Sequence, residues 1–497
     1  MSKTLLILEV SRKQDYIFAS KKLRGNAARS AQIAYVTSSG FFEAAAGDGY
    51  SETENLIYSG GGHTVLQFGS SEQAREFARK VTGAALSKYR GMEIFAKQMP
   101  YQPELSPGEN LYALSRALEE KKTLRKSAFR QMRFGVEDSR AAEDSETLDF
   151  AAETIMPPEG CSFPKDFGQL AGEDNFIAVV HIDGNAMGAR VQEIYAGNEA
   201  WEHCCRRLKR FSQGIQKDFE QAFRETAGTV AEKLRPADGV LPIRPVILAG
   251  DDVCFVTAGK IGLECARIYL EKLAAMENAE QPGRPYSACA GVAVVHTKYP
   301  FHQAYQLAEE LCSSAKKFGA EIDRQGGISA IDWHIEFGQL KGDLSLQRQD
   351  YETEDGNRME LRPLTVVVPE GLKEAAHAAT EGFRSYSFFK GMCRGMQGEC
   401  GSIARGTIKQ LRTAFKQGES ESEFFLQDRQ IRDLLYHPFA AKYESHEGWS
   451  EAVRDVWSSG KMKEKAAFAQ IGETKRCLFF DAIEMIDHCV FFEEAEG

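Results

Sequence analysis

Pro245-Val246-Ile247-Leu248-Ala249-Gly250-Asp251-Asp252-Val253-Cys254-Phe255-Val256 sets two β-rich apolar runs on either side of a short Ala-Gly-Asp-Asp turn. That pattern predicts a β-hairpin with two adjacent carboxylates at its tip. A third carboxylate, Asp183, closes another apolar run, Phe176-Ile177-Ala178-Val179-Val180-His181-Ile182, and is followed by Gly184, where backbone can approach a ligand closely. If the two strands are neighbours, three carboxylates converge on one rim. Such a rim suits divalent cations that align a triphosphate with an attacking hydroxyl, the equipment of nucleotidyl transfer. The competing reading of Asp251-Asp252 is plain hairpin geometry, because Asp favours turns for local reasons.

Working outward, the elements around this hairpin follow the order β-α-β-β-α-β. Residues 176–182 read as a strand, 199–227 as a helix, 245–257 as the hairpin, 261–276 as a helix and 287–296 as a closing strand, with a further helix over 302–318. The same order occurs earlier. Residues 4–10 read as a strand, 26–46 carry helical spacing, 55–59 and 64–68 form a hairpin, 71–89 a helix and 92–98 a strand. The first copy is tipped by Gly60-Gly61-Gly62 where the second has its acidic turn, so the chain reads as a duplication with only one copy carrying carboxylates. The expected fold class is α+β: two ferredoxin-like palm domains and a C-terminal helical domain. The expected boundaries are 1–135, a linker over 136–172, 173–335, a connecting region over 336–375, and 376–497. Helices are expected at 402–416, 424–436 and 475–490.

Composition narrows the function classes. A chain of 497 residues with 43% hydrophobic and 27% charged residues is ordinary globular material. With 61 Lys and Arg against 72 Asp and Glu, the net charge of −11 confines any nucleic-acid surface to a local patch. Leu118 to Phe134 and Arg206-Arg207-Leu208-Lys209-Arg210 are the candidate patches, and solvated helix faces are the alternative for both. The eleven cysteines lack CxxC spacing, and the start Met1-Ser2-Lys3 has no secretory character. They read as reduced structural thiols in a cytoplasm, Cys393 and Cys400 included. No apolar run approaches the ~20 residues of a membrane span.

Smaller features gather around the same chemistry. Asp183-Gly184-Asn185-Ala186-Met187-Gly188 can wrap phosphate oxygens with backbone N–H groups ahead of a helix. Lys316 and Lys317 can neutralise a triphosphate or simply face solvent. Ser59-Gly60-Gly61-Gly62 is either a flexible turn or a nucleotide contact. Tyr16 and Phe18, with Lys21-Lys22-Leu23-Arg24, can serve a base and phosphate or the core. There is no GxSxG elbow, no Walker lysine loop and no His-Asp dipeptide, which leaves other hydrolytic chemistries without a motif.

Taken as a series, these motifs resemble the large, palm-containing subunit of type III CRISPR effector complexes. The series is Tyr16-Ile17-Phe18 with Lys21-Lys22-Leu23-Arg24, Ser59-Gly60-Gly61-Gly62, Asp183-Gly184-Asn185-Ala186-Met187-Gly188, Ala249-Gly250-Asp251-Asp252, Ser287-Ala288-Cys289-Ala290-Gly291-Val292-Ala293 and Ala315-Lys316-Lys317. It spans roughly residues 1–335. The resemblance implies two palms around two ATP molecules, joined by 3'-5' bonds into cyclic oligoadenylate messengers for antiviral defence. It implies that Asp183 and Asp252 hold Mg²⁺ or Mn²⁺ in a two-metal site, and that Asp251 supports metal binding and hydroxyl activation. Ser59, Gly60, Gly61, Gly62, Gly184, Asn185, Gly188 and Gly250 would touch nucleotide, and Lys316 would contact phosphate. Implied partners are other effector subunits with guide and target RNA, and no membrane. The family turn is Gly-Gly-Asp-Asp, and Ala249 stands for the first Gly. The family's N-terminal nuclease domain and its zinc-binding cysteine pairs are not read in this chain. The alternatives are a catalytically silent scaffold or RNA-binding subunit, and a freestanding cyclic-dinucleotide synthase.

Overall fold

In the computed structural model, the residues described are 3–124, 155–196, 200–337, 344–398, 404–431 and 467–492. The chain opens with β1 (Thr4–Ser11), α1 (Leu23–Val36), α2 (Ser39–Ala46), β2 (Leu56–Gly60), β3 (His63–Phe68), α3 (Ser71–Lys88), β4 (Glu93–Pro100) and α4 (Pro107–Thr123). It continues through β5 (Phe176–Gly184), α5 (Met187–Tyr195), α6 (Trp201–Leu234), β6 (Ile243–Ala249), β7 (Asp252–Ala258), α7 (Gly262–Ala274), β8 (Ala288–His296), α8 (Phe301–Ile322) and β9 (Ser329–Glu336). The remainder holds β10 (Leu364–Val367), α9 (Tyr386–Gly398), α10 (Arg405–Gln417), α11 (Glu419–Asp428), β11 (Phe468–Ile471), β12 (Thr474–Cys477) and α12 (Phe480–Met485). The fold is α+β, and both β-α-β-β-α-β series are present along the chain.

The chain divides into two compact units, one of 1–170, 186–256 and 275–286, the other of 171–185, 257–274 and 287–497. In the first unit, β2-β3-β1-β4 form an antiparallel sheet in the ferredoxin-like order. Its strand β1 buries Leu5, Leu6, Ile7, Leu8 and Val10, so the run is apolar on both faces. The helical spacing expected over 26–46 is broken at Ser38, whose hydroxyl accepts from Phe41 N at 3.4 Å and starts α2 afresh. Helix α6 turns a continuous apolar stripe inward, with Trp201, Cys204, Leu208, Phe211, Ile215, Phe219 and Phe223 all buried. It packs on both β2 and β6, and α1 also packs on β6. These two helices therefore gather the glycine-tipped and acidic hairpins into one unit.

In the second unit, β8 lies between β5, antiparallel, and β9, parallel, and β10 pairs antiparallel with β9. Helix α8 connects β8 to β9 and packs on β5, β8 and β9. The approach is close because position 291 lacks a side chain: a Cβ on Gly291 would stand 2.0 Å from Ala308 O and 2.3 Å from Cys312 N. Only glycine leaves room for the helix there. Strands β9 and β10 were not expected from the sequence. Its sequence alternates Ile331, Trp333 and Ile335 with Asp332, His334 and Glu336, the period of a half-exposed strand, yet all of β9 is buried, polar set included.

The C-terminal part is largely helical among the described residues, with one correction. Residues 475–490 are not one helix; β11 and β12 form a two-stranded antiparallel hairpin, and only Phe480–Met485 is helical beyond it. Gly472, at φ +58, makes the turn, and the nearly unbroken burial of 477–486 erases a helical period. The expected helices over 402–416 and 424–436 correspond to α10 and α11, with 432–436 outside the described residues. The basic stretch beyond Leu124, most of the expected linker and Cys400 also lie outside them.

A fully buried Arg362 joins this region to β9. It pairs with Asp481 at 3.3 Å and Glu484 at 2.6 Å, and its guanidinium lies 4.9 Å from the Trp333 ring and 5.1 Å from the Tyr351 ring. Asp481 also accepts from the backbone N–H groups of Leu361 and Arg362. His334 lies beside this cluster, 3.2 Å from the Tyr351 hydroxyl, and burial together with the Arg362 charge depresses its pKa to about 4. The folded protein therefore keeps His334 neutral where the unfolded chain protonates it. Stability is complete above pH 6.5 and is lost as pH falls from 6.5 towards 4. Urea denaturation at pH 7 and pH 5 should differ by about 2 kcal/mol from this residue. A His334→Gln variant should show a correspondingly flatter dependence; an unchanged slope would rule the histidine out as the source.

Candidate active site

The acidic tip belongs to the first unit. β6 ends at Ala249, β7 begins at Asp252, and Gly250 takes φ +71, a conformation that favours glycine. Ala249 keeps its place in the strand, where a methyl group is tolerated, so the departure from a Gly-Gly-Asp-Asp turn puts no strain on the backbone. Asp251 and Asp252 are half-buried. Below them the Cys254 thiol is pushed well above its ordinary pKa by burial and then by the Asp252 carboxylate, so it stays protonated and inert.

Helix α6 braces the tip. Gln216 Oε1 accepts from Gly250 N at 2.7 Å, and its Nε2 donates to Leu248 O at 3.2 Å. One turn earlier, Ser212 Oγ donates to Ser59 O at 2.6 Å. The same helix thus holds the acidic hairpin and the glycine-tipped hairpin. Their tips are adjacent: a Cβ on Gly61 would stand 3.6 Å from Ala249 O. Gly61 and Gly62 both have positive φ, and Gly62 sits so close to Ile33 and Lys13 that a side chain would collide there. Lys13 Nζ donates to Gly61 O. The Ser59 hydroxyl donates to Thr37 O at 2.7 Å and lies 3.0 Å from Thr64 Oγ1, inside the hairpin's own network.

Asp183, Gly184, Asn185 and Lys316 belong to the second unit, and Gly188 to the first. Asp183 stands near the end of β5 opposite Cys289 of β8. Lys316 of α8 reaches it, with Nζ 2.7 Å from Asp183 Oδ2 and 2.9 Å from Gly184 O. Lys317 is exposed, so of the two lysines only Lys316 is turned to this carboxylate. Asn185 is buried as a structural link: its N–H donates to Ser287 O and its Nδ2 to Ile328 O at 2.8 Å. Gly188 is exposed at the start of α5. Burial pushes the Cys289 thiol up to about 11.

Asp183, Asp251 and Asp252 offer carboxylate oxygens, the donors that Mg²⁺ and Mn²⁺ prefer. Asp183 has its charge balanced by the Lys316 ammonium. Among the described residues, no three His, Cys, Asp or Glu side chains gather as a ready metal cage. An ion held at the Asp251-Asp252 tip, or at Asp183, would complete its shell with phosphate and water oxygens, as Mg²⁺ commonly does.

Other candidates take ordinary roles. Tyr16 is buried with its hydroxyl on Gln32, a core residue. The basic run on α6 makes ion pairs within its unit: Arg207 and Arg210 with Glu280, Lys209 with Glu52. No helix among the described residues is long and apolar enough to cross a membrane. Gln216 and Ser212 escaped the sequence reading because neither belongs to a motif. The only signal was their place beside the apolar stripe of α6.

Residues 176–324 match the sequence model of the Cas10/Cmr2 second palm domain. No curated protein sequence matches the chain. Among solved structures, the chain resembles the Csm1-Csm4 subcomplex of the type III-A CRISPR-Csm interference complex, with TM-score 0.56 and 13% identity over 98% of this chain and 70% of that one. It also resembles a Csm1-Csm4 cassette in complex with pppApApA, with TM-score 0.57 and 13% identity over 98% and 69%. A cassette in complex with cA3 gives TM-score 0.55 and 12% identity over the same shares. At these identities the likeness is one of fold. The motif series, the family match over 176–324 and the fold agree on a Cas10/Cmr2-type second palm domain.

Proposed function

We propose that this chain is a metal-dependent nucleotidyltransferase that condenses ATP into cyclic oligoadenylate messengers within a type III CRISPR effector complex. The observation that carries the reading is the Asp251-Asp252 tip, clamped by α6 beside the glycine-tipped hairpin. The match to a second palm domain and the resemblance to cassettes bound to pppApApA and cA3 support it. In this reading 1–135 and 173–335 are the two palms, 136–172 links them, 336–375 connects onward, and 376–497 is the C-terminal domain.

Mg²⁺ or Mn²⁺, when bound, neutralises the triphosphate and aligns it with the attacking hydroxyl. Asp183, Asp251 and Asp252 supply the anionic oxygens for it. The 3'-hydroxyl of one nucleotide forms a bond to the α-phosphorus of the other, the bond to the β-phosphate oxygen breaks, and pyrophosphate leaves. Asp251 receives the hydroxyl proton. Gly250, Gly184, Gly188, Ser59, Gly60, Gly61 and Gly62 let nucleotide approach the backbone. Asn185 fixes the loop after β5, and Lys316 turns its charge from Asp183 to phosphate.

The test is to incubate purified protein with ATP and Mg²⁺ or Mn²⁺, alone and with partner subunits, guide RNA and target RNA, and to measure pyrophosphate and oligoadenylate. Their appearance supports the reading, and their absence under every condition favours a silent scaffold. Lys316→Met should raise the KM for ATP roughly tenfold, the loss of one charge-assisted contact of about 1.5 kcal/mol. An unchanged KM would remove Lys316 from the phosphate site.

A further inference from the structure

The Gln216 amide spans two backbone groups of one strand edge. It accepts from the N–H of Gly250 and donates to the C=O of Leu248, the outward pair that flanks residue 249. A neighbouring strand would satisfy the same pair, and β6 is a terminal strand of its sheet. A side chain on a helix thus stands in for a strand at the last ladder position before the acidic turn. Gln216 is itself steadied by Nε2–H donation to Glu220 one turn on.

The clamp acts on the glycine of the acidic turn. Gly250 has no Cβ and sits at φ +71, so its own backbone is conformationally permissive and gains definition from the Gln216 bond. Ser212 fixes the facing hairpin through Ser59 O on the same side of the same helix. A shift of one carboxylate pair by about 1 Å can cost on the order of 100-fold in rate.

We infer that Gln216 is a positioning residue, holding the Gly250-Asp251-Asp252 turn at a fixed place relative to the Ser59-Gly60-Gly61 hairpin through the α6 helix. The inference rests on the proposed activity for its rate consequence and on the hydrogen bonds alone for the clamp. Gln216→Met keeps length and helix propensity and removes both bonds, whereas Gln216→Glu keeps the acceptor for Gly250 N–H.

The experiment pairs two measurements on the full chain: hydrogen–deuterium exchange at the Gly250 amide, and steady-state ATP turnover. Gln216→Met should exchange at least about tenfold faster and lose roughly 10- to 100-fold in kcat, with KM for ATP changed less than about twofold. Gln216→Glu should retain most of the amide protection. Unchanged exchange in Gln216→Met overturns the clamp. Faster exchange with unchanged kcat overturns the positioning role. If the wild type turns over no ATP either alone or with partner subunits, guide RNA and target RNA, the proposed function fails, and the positioning role is judged instead by Mn²⁺ titration. In that case weaker Mn²⁺ binding in Gln216→Met supports it, and equal binding overturns it.

Discussion

Asp251→Ala/Asp252→Ala is expected to abolish oligoadenylate formation, a loss of roughly 1000-fold or more, since removing both carboxylates takes away several kcal/mol of charge stabilisation at the transferring phosphate. The fold should survive. Both residues are half-buried at a turn, and the strands behind them are anchored by Val253, Cys254, Phe255 and Val256, all fully buried. Thermal unfolding of the variant should therefore stay close to wild type while pyrophosphate release disappears. Equal output from wild type and variant would remove the acidic tip from the chemistry. A variant that melts far below the wild type would show that the tip has a structural duty as well.

The second large effect concerns stability. Arg362 is 0% exposed and faces Asp481 and Glu484, so Arg362→Ala leaves Asp481 buried without its cation and Glu484 with only Arg412, 3.8 Å away. Breaking a buried pair from one side costs roughly 3–5 kcal/mol. For a unit of this size that corresponds to a fall in Tm of about 10 °C. The triple variant Arg362→Met/Asp481→Asn/Glu484→Gln removes the charges together, keeps acceptors for the Leu361 and Arg362 N–H groups and the Tyr351 hydroxyl, and should recover much of the loss. If single and triple variants melt alike, shape rather than charge pairing holds β9 to the C-terminal residues. Removing Arg362 also lifts one of the pressures on His334, so the single variant should lose less stability between pH 6.5 and 4.

The parts of the fold that were legible in the sequence are those where period and burial agree. The hairpins at 56–68 and 243–258 announced themselves through β-rich runs broken by Gly60-Gly61-Gly62 and Gly250, and α6 and α8 through one-sided apolar spacing. Burial on every side defeated the reading elsewhere. β9 alternates Ile331, Trp333 and Ile335 with Asp332, His334 and Glu336, but both sets are buried and the charged one suggests an exposed face the fold does not have, while 477–486 is buried throughout and keeps no helical period. At the site, Asp183, Asp251 and Asp252 stand out because carboxylates at strand ends are unusual. Lys316 needed the motif series to distinguish it from Lys317, and only the structure shows its contact with Asp183. Gln216 was beyond reach because its importance lies in two backbone atoms 32 and 34 positions away, which no local pattern encodes.

Ser212 and Gln216 lie on one side of α6 only because four residues make slightly more than one helical turn. One residue inserted between them would swing Gln216 by about 100° and carry its amide off Gly250, with no change of residue type anywhere. Gln213 and Lys217, both exposed, have no such constraint and can be exchanged for other helix formers. This stretch of α6 therefore works as a spacer whose specification is numerical: it tolerates spelling changes on its outer surface and rejects a change in count.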